Sequence, residues 1–168
     1  MNNYAFIDGQ NLHKTVEDLS WFFCYFKFHH LLETKFNVSK AFYYIGFTQD
    51  RNCPLYKKLR KAGFQLCLRL PIISFVNNKK EIKANVDSNL ITGALTKLKD
   101  FDKAIIVAGD SDYYCFAKYL LRQNKLLKIL LPSRQDSSNL YRSNIFMYHI
   151  AYVDNMKKHL EKKWIGLK

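Results

Sequence analysis

The sequence predicts an α/β protein with three layers, in which a mainly parallel central sheet is flanked by helices. Strand-like and helix-like segments alternate along the chain, which is typical of parallel strands joined by helical crossovers. The run 104–108 contains only small or β-branched apolar residues, as expected of a strand buried on both faces. This run and the run 4–7 both lead into aspartates, at the strand ends where open α/β sheets bind ligands.

The predicted elements follow in order along the chain. Strand-like runs lie at about 4–8, 40–47, 64–70, 103–108, 126–131 and 145–150. Helix-like segments lie at about 14–35, 53–62, 86–99, 112–123 and 152–163. Gly63 is placed to cap the carboxyl end of the predicted helix 53–62. Pro132 ends the predicted strand 126–131, because proline cannot continue a strand ladder.

The segment 71–83 departs from this alternation and reads as a short hairpin. A mainly apolar run, 72–76, and a mainly charged run, 80–83, flank Asn77, Asn78 and Lys79. Its lysines, Lys79, Lys80 and Lys83, come just before Asp87 and are expected to approach a substrate backbone. A merely solvated loop is the alternative, because charged side chains commonly face water.

The segment 21–28 is aromatic on every side of the element it forms. One helix face cannot bury all of these rings against one sheet. Core packing accounts for most of them, and the excess indicates a self-association surface or a platform for stacking bases. A homodimer is therefore one expectation for this chain.

Bulk composition favours a polyanionic partner. The chain of 168 residues has 27 Lys and Arg but 14 Asp and Glu, which gives a formal net charge of +13. Aromatic residues make up 15% of the chain and offer faces on which unpaired bases can stack. The four cysteines and five histidines form no zinc pattern, and no run is long and apolar enough to span a membrane. We expect no membrane partner and a cytoplasmic location.

Four of the scarce acids lie at three strand or helix ends, at Asp8, Asp87, Asp110 and Asp112. Asp87 begins a helix, where the helix dipole alone favours an acid. If the four carboxylates came together, each pair about 4 Å apart would repel by roughly 4 kcal/mol at an effective dielectric of 20. A hard divalent ion, Mg²⁺ or Mn²⁺, relieves that repulsion because it binds oxygen ligands. The pattern therefore predicts a metal site that can orient a phosphate and activate water.

Three stretches, 6–12, 86–87 and 107–113, together resemble the NYN domain, in a branch formerly grouped as a domain of unknown function and related to PIN nucleases. The resemblance spans most of the chain in the right order. It implies a single domain over 1–168 with a Rossmann-like, PIN-like fold, and a metal-dependent ribonuclease site whose catalytic and metal-binding acids correspond to Asp8, Asp87, Asp110 and Asp112. It also implies that Asn11 contacts metal-bound water or phosphate.

Substrate contacts are therefore expected from the following residues: Asn11, Ser111, Lys79, Lys80 and Lys83. The expected partner is RNA, in single-stranded form if the aromatic rings stack bases.

The chain also departs from its relatives. They often carry an acid where this chain has Gly93, and many carry one near the place of Asn144. These losses keep open a second hypothesis, a non-catalytic RNA-binding or regulatory module. A phosphatase or nucleotide-binding domain is disfavoured, since the chain lacks glycine-rich phosphate loops and the second aspartate of aspartyl-phosphate enzymes.

Overall fold

A computed structural model describes residues 1–47, 53–70, 72–76, 79–83 and 86–162, with the backbone alone for 72–76 and 79–83. The strands are β1 (Asn3–Asp8), β2 (Val38–Gly46), β3 (Gln65–Arg69), β4 (Ile72–Val76), β5 (Lys79–Lys83), β6 (Ala104–Val107), β7 (Leu126–Leu131) and β8 (Ile150–Tyr152). The α-helices are α1 (Gly9–Asp18), α2 (Tyr25–Phe36), α3 (Pro54–Lys61), α4 (Asp87–Leu95), α5 (Tyr114–Arg122) and α6 (Lys157–Leu160). In the described part of the chain, no helix has the length and apolar character needed to cross a membrane.

Six strands form one parallel sheet in the order β3-β2-β1-β6-β7-β8. The chain builds outward from β1 to β3, then returns to the other side of β1 with β6 and continues to β8. The direction of winding thus reverses between β1 and β6. In open α/β sheets this reversal leaves a crevice at the carboxyl ends of the two strands.

Alternate residues of the central strands feed two cores, one on each face of the sheet. Ala5 and Ile7 of β1 pack on the side covered by α1, α2 and α3. Tyr4 and Phe6 pack on the side covered by α4 and α5. Because successive side chains on a strand point to opposite faces, Asp8 lies on the same side as Phe6 and therefore on the α4 side. The three-layer α/β prediction is confirmed.

The prediction of one helix over 14–35 is wrong, because this region contains α1 and α2 with a non-helical segment between them. Asp8 caps α1, so the helix begins at Gly9. The connecting segment buries Trp21 and Phe23 in the core, and Phe23 forms an antiparallel bridge with Glu161. Backbone pairing with a segment so distant in sequence holds these residues extended, which local periodicity cannot reveal.

The predicted strand over 145–150 and the predicted helix over 152–163 are also wrong in extent. Residues 144–146 form a 3-10 turn that buries Phe146, and the strand at this edge is β8 instead. The last α-helix among the described residues is the four-residue α6, which ends where Glu161 becomes extended to pair with Phe23. Tertiary contacts again override the local pattern.

The hairpin prediction is confirmed, because β4 and β5 pair antiparallel with Ile72 opposite Lys83. Lys79, which the sequence places in the turn, is the first residue of β5. The turn residues 77–78 lie outside the described residues, as do the side chains of the three hairpin lysines. The substrate contacts expected of Lys79, Lys80 and Lys83 therefore stay predictions.

Candidate active site

The parallel sheet brings the acids that follow β1 and β6 to one edge. Asp8 is the last residue of β1, and Ile7 pairs with Val107 of the neighbouring β6. Asp110 follows β6 after a two-residue extension. Both acids thus lie at the carboxyl ends of the two strands between which the winding direction reverses, the usual place for a ligand site in this architecture.

Asp8 is buried, with 5% of its surface exposed, and it caps α1. Its Oδ1 accepts hydrogen bonds from the backbone N–H groups of Gln10 and Asn11, each at 3.0 Å. Burial raises the pKa of the Asp8 carboxyl above its ordinary value, and the nearby Asp87 charge adds to the rise. Hydrogen bonds from Asn11, Tyr113 and Gln10 oppose it. The amino end of α1 therefore holds the Asp8 carboxyl in place, while burial and the Asp87 charge disfavour its ionised form.

The Tyr113 hydroxyl lies between Asp8 and Asp87. It is 3.0 Å from Asp8 Oδ2 and donates to Asp87 Oδ1 at 2.6 Å. A hydroxyl has one proton, so it cannot donate fully to both carboxylates at once. Burial and these two acids raise the pKa of Tyr113 well above its ordinary value, so the hydroxyl stays protonated at neutral pH. Tyr113 thus joins two acids that are distant in sequence.

Asp110, Ser111 and Asp112 form an exposed turn, hereafter the acid turn, ahead of α5. Asp110 Oδ1 accepts from the backbone N–H of Asp112 and from the Ser111 hydroxyl, both at 3.2 Å. The Tyr141 hydroxyl donates to the Asp110 carbonyl oxygen at 2.6 Å. These contacts fix the backbone of the turn and leave the Asp112 side chain exposed.

Asn11 links α1 to the acid turn. Its Oδ1 accepts from the backbone N–H of Gly109 at 2.8 Å. A Cβ at Gly109 would lie 2.6 Å from the Ser137 hydroxyl oxygen, so the close approach of the chains requires glycine there. The observed contact makes Asn11 a positioning residue for the turn, and its amide nitrogen is the group left for the contact to water or phosphate that the sequence predicts.

The structure therefore groups the predicted acids in two sets at one edge: Asp8 with Asp87 through Tyr113, and Asp110 with Asp112 in the acid turn. Within the residues that the structure describes, no three or more His, Cys, Asp or Glu side chains are close enough together to hold a metal ion.

Sequence reasoning gave no role to Tyr113 or Tyr141. Tyr113 directly follows Asp112, and this adjacency was the available signal. Tyr141 lies 31 positions from its partner Asp110, so the sequence carries no signal of this contact.

Gly93 of α4, where the family resemblance leads us to expect an acid, lies against Tyr44 of β2. A Cβ at position 93 would overlap the Tyr44 hydroxyl. Tyr44 is buried and pairs with Asp8 across the strands. The tyrosine hydroxyl thus fills the space that a side chain at position 93 would need.

Comparisons with known proteins agree with this fold. The family model described as the NYN domain matches residues 4–149. A crystal structure of a protein of unknown function from Vibrio parahaemolyticus superimposes with a TM-score of 0.70 at 21% sequence identity, covering 92% of this chain and 93% of that one. A search of curated proteins gives no match. The structural likeness concerns the fold alone.

Proposed function

The chain belongs to the NYN domain family, and from that premise we propose that it is a metal-dependent ribonuclease that hydrolyses RNA phosphodiester bonds at its aspartates. The family is of a PIN-like nuclease type and generally comprises RNA-binding ribonucleases. The observation that carries the proposal is the Asp8–Tyr113–Asp87 contact beside the acid turn, at the reversal point of the sheet. Acids are gathered there although the chain has few of them.

The donor set fits Mg²⁺ or Mn²⁺. All candidate ligands are carboxylate oxygens, and Mg²⁺ commonly binds through one or two carboxylates while keeping several waters. Asp8 and Asp87 are two such groups around one hydroxyl, and a bound cation would offset the burial and the Asp87 charge that raise the pKa of Asp8. We assign metal binding to Asp8, Asp87, Asp110 and Asp112, directly or through water. A bound ion would lower the pKa of the attacking water and stabilise charge on the phosphate.

The chain's own residues position these acids. The α1 backbone fixes Asp8, and the Tyr113 hydroxyl keeps Asp87 beside it. Asp87 is proposed to help bind the ion or to orient the attacking water. Asn11 and Tyr141 hold the backbone of the acid turn from its two sides. Pre-positioned groups of this kind need little rearrangement when substrate binds.

The charge of the chain supports RNA as the substrate. A formal net charge of +13 attracts a polyanion, and lysines and arginines neutralise phosphates flanking the cut bond. The hairpin lysines Lys79, Lys80 and Lys83 and the Ser111 hydroxyl stay assigned to substrate contact. A single-stranded substrate fits the aromatic content, since unpaired bases stack on such rings.

A non-catalytic RNA-binding module is the second candidate function. One observation favours it: the Tyr44 hydroxyl occupies the space beside Gly93 where relatives often carry an acid. A site with fewer acids binds a second ion less well, which weakens turnover before it weakens RNA binding.

A cleavage assay separates the two candidates. Labelled single-stranded and structured RNAs are incubated with the protein in Mg²⁺, in Mn²⁺ and in chelator. The ribonuclease proposal predicts products with metal only, and none from Asp110→Asn, whose exposed side chain makes misfolding an unlikely cause of the loss. Asp100→Asn, an exposed acid at the opposite end of β6, is the matched control and should cut normally. RNA binding without products in every metal would favour the second candidate.

Location and assembly complete the proposal. We propose a cytoplasmic location. The four cysteines are free thiols, and the reducing cytosol keeps cysteines in this state. We also propose self-association through the exposed rings of Phe22 and Phe26, which the core leaves uncovered.

A further inference from the structure

A cleft of about 540 Å³ lies at the carboxyl edge of the sheet, beyond β7 and β8. Its walls include Arg134, Tyr141, Arg142, Ser143, Asn144 and Tyr152. Leu131 at the end of β7 pairs with Tyr152 at the end of β8, so the segment that follows β7 and contains Arg134 begins beside Tyr152. The volume is in the range of sites that hold a small ligand.

The cleft carries two guanidinium groups, those of Arg134 and Arg142. The Arg134 guanidinium lies 5.1 Å from the centre of the Tyr152 ring. Arg142 Nη2 donates to the Arg134 carbonyl oxygen at 3.2 Å. Asp154 accepts from the Arg134 backbone N–H, not from its side chain. Within the described ranges neither guanidinium forms an ion pair, so two positive charges remain for an anion.

The cleft also offers uncharged polar groups. The Ser143 hydroxyl oxygen is buried and has no hydrogen-bond partner in the part of the chain that the structure describes. A buried hydroxyl without a partner costs free energy, which a bound polar ligand can recover. Exposed Asn144 adds one amide donor group and one acceptor beside it. The Arg134 guanidinium over Tyr152 forms a flat cationic surface of the kind on which bases stack.

Tyr141 connects this cleft to the candidate active site. Its ring lines the cleft, while its hydroxyl donates to the Asp110 carbonyl oxygen at 2.6 Å. One side chain therefore forms the wall between the two sites. The acid turn and the cleft are separated by this one side chain, so a bound RNA strand can contact both.

We propose that this cleft binds one nucleotide of a single-stranded RNA, next to the bond that is cut. Arg142 and Arg134 contact its phosphate, and the Arg134–Tyr152 surface together with Ser143 and Asn144 receives its base. This inference rests on the proposed function in one respect: that function is the reason to choose RNA over other anions with aromatic groups. Its binding step needs neither metal nor cleavage.

The test measures binding in chelator, so that cleavage plays no part. The probe is a fluorescent single-stranded RNA of about ten nucleotides, and the variant is R134Q/R142Q. The matched control, R60Q/K61Q on α3 beside the opposite sheet edge, removes the same charge. We expect R134Q/R142Q to weaken binding at least about tenfold and to lower the slope of log affinity against log salt by about one, since the two cations neutralise one phosphate. The control should weaken binding by less than about threefold.

Equal loss in the two double variants would overturn the proposal. The proposal would also be overturned if R134Q/R142Q weakened the binding of inorganic polyphosphate of the same charge as much as it weakens RNA binding. That result would indicate a general anion site. If R134Q/R142Q does not fold, R142Q alone decides, since its side chain is exposed. RNA binding through the cleft with no cleavage in any metal would refute the ribonuclease and leave the cleft as a nucleotide-binding site. Cleavage with no difference between the variants would refute this inference alone.

Discussion

Replacing Asp8 by Asn should leave the metal-free protein as stable as the wild type or more stable at neutral pH. Asn caps helices about as well as Asp, so the two 3.0 Å contacts to α1 are kept. The substitution removes a buried charge that faces Asp87 across one hydroxyl. Two like charges about 5 Å apart repel by about 3 kcal/mol at an effective dielectric of 20, and relief of the burial cost of the Asp8 charge adds to the gain. Asp8→Ala loses the cap as well and should be less stable than Asp8→Asn by about 1 kcal/mol.

The pH dependence has a defined sign. Burial raises the pKa of native Asp8 above its unfolded value of about 3.9, so between these two values the native state binds more protons than the unfolded state. Wild-type stability from this group is therefore present below the unfolded pKa and is lost as pH rises through the native pKa. The advantage of Asp8→Asn should be absent at low pH and should grow toward neutral pH.

Thermal and urea unfolding in chelator measure these differences. For a chain of this length, 1 kcal/mol corresponds to about 2–4 °C in Tm. Asp100→Asn, which removes an exposed acid, is the control and should change Tm little at any pH. A clear fall in the stability of Asp8→Asn at neutral pH, or an advantage that does not change with pH, would refute this account of Asp8.

Three further predictions concern other parts of the molecule. Gly93→Ala should lower the free energy of unfolding by about 1–3 kcal/mol because its Cβ would overlap the Tyr44 hydroxyl, and Tyr44→Phe should recover part of the loss in a double-mutant cycle; additive losses would contradict the overlap. Affinity for single-stranded RNA, measured in chelator, should fall log-linearly with salt, and an unchanged affinity between low and physiological salt would count against electrostatic binding. Light scattering should show an oligomer for the wild type and a folded monomer for Phe22→Glu with Phe26→Lys, since these rings are 69% and 48% exposed; a wild-type mass of one chain would remove the basis for this prediction.

The sheet and the placement of its acids could be predicted because both depend on local pattern. The buried runs that became β1, β6 and β7 contain little but apolar residues. Parallel strands place their carboxyl ends at one edge, so acids following two neighbouring strands must lie near each other. The antiparallel hairpin could also be predicted from local pattern, because two short runs flank turn residues.

Features that depend on distant partners could not be predicted. The break between α1 and α2 follows from the bridge between Phe23 and Glu161, which no local window contains. The role of Tyr113 depends on where α4 places Asp87, and that of Tyr141 on how the chain after β7 folds back to Asp110. The partner of Asn11 is a backbone amide of Gly109, which side-chain patterns do not indicate.

Mn²⁺ binding tests the central claim, that these acids form a metal site, most directly. Electron paramagnetic resonance reports free Mn²⁺ during a titration of the wild type, Asp8→Asn, Asp87→Asn and Asp100→Asn. The account predicts saturable binding to the wild type and to Asp100→Asn, competition by Mg²⁺, and at least about tenfold weaker binding to the other two variants, because each loses a carboxylate ligand. Undiminished Mn²⁺ binding in Asp8→Asn and Asp87→Asn, or no saturable binding to the wild type, would contradict it.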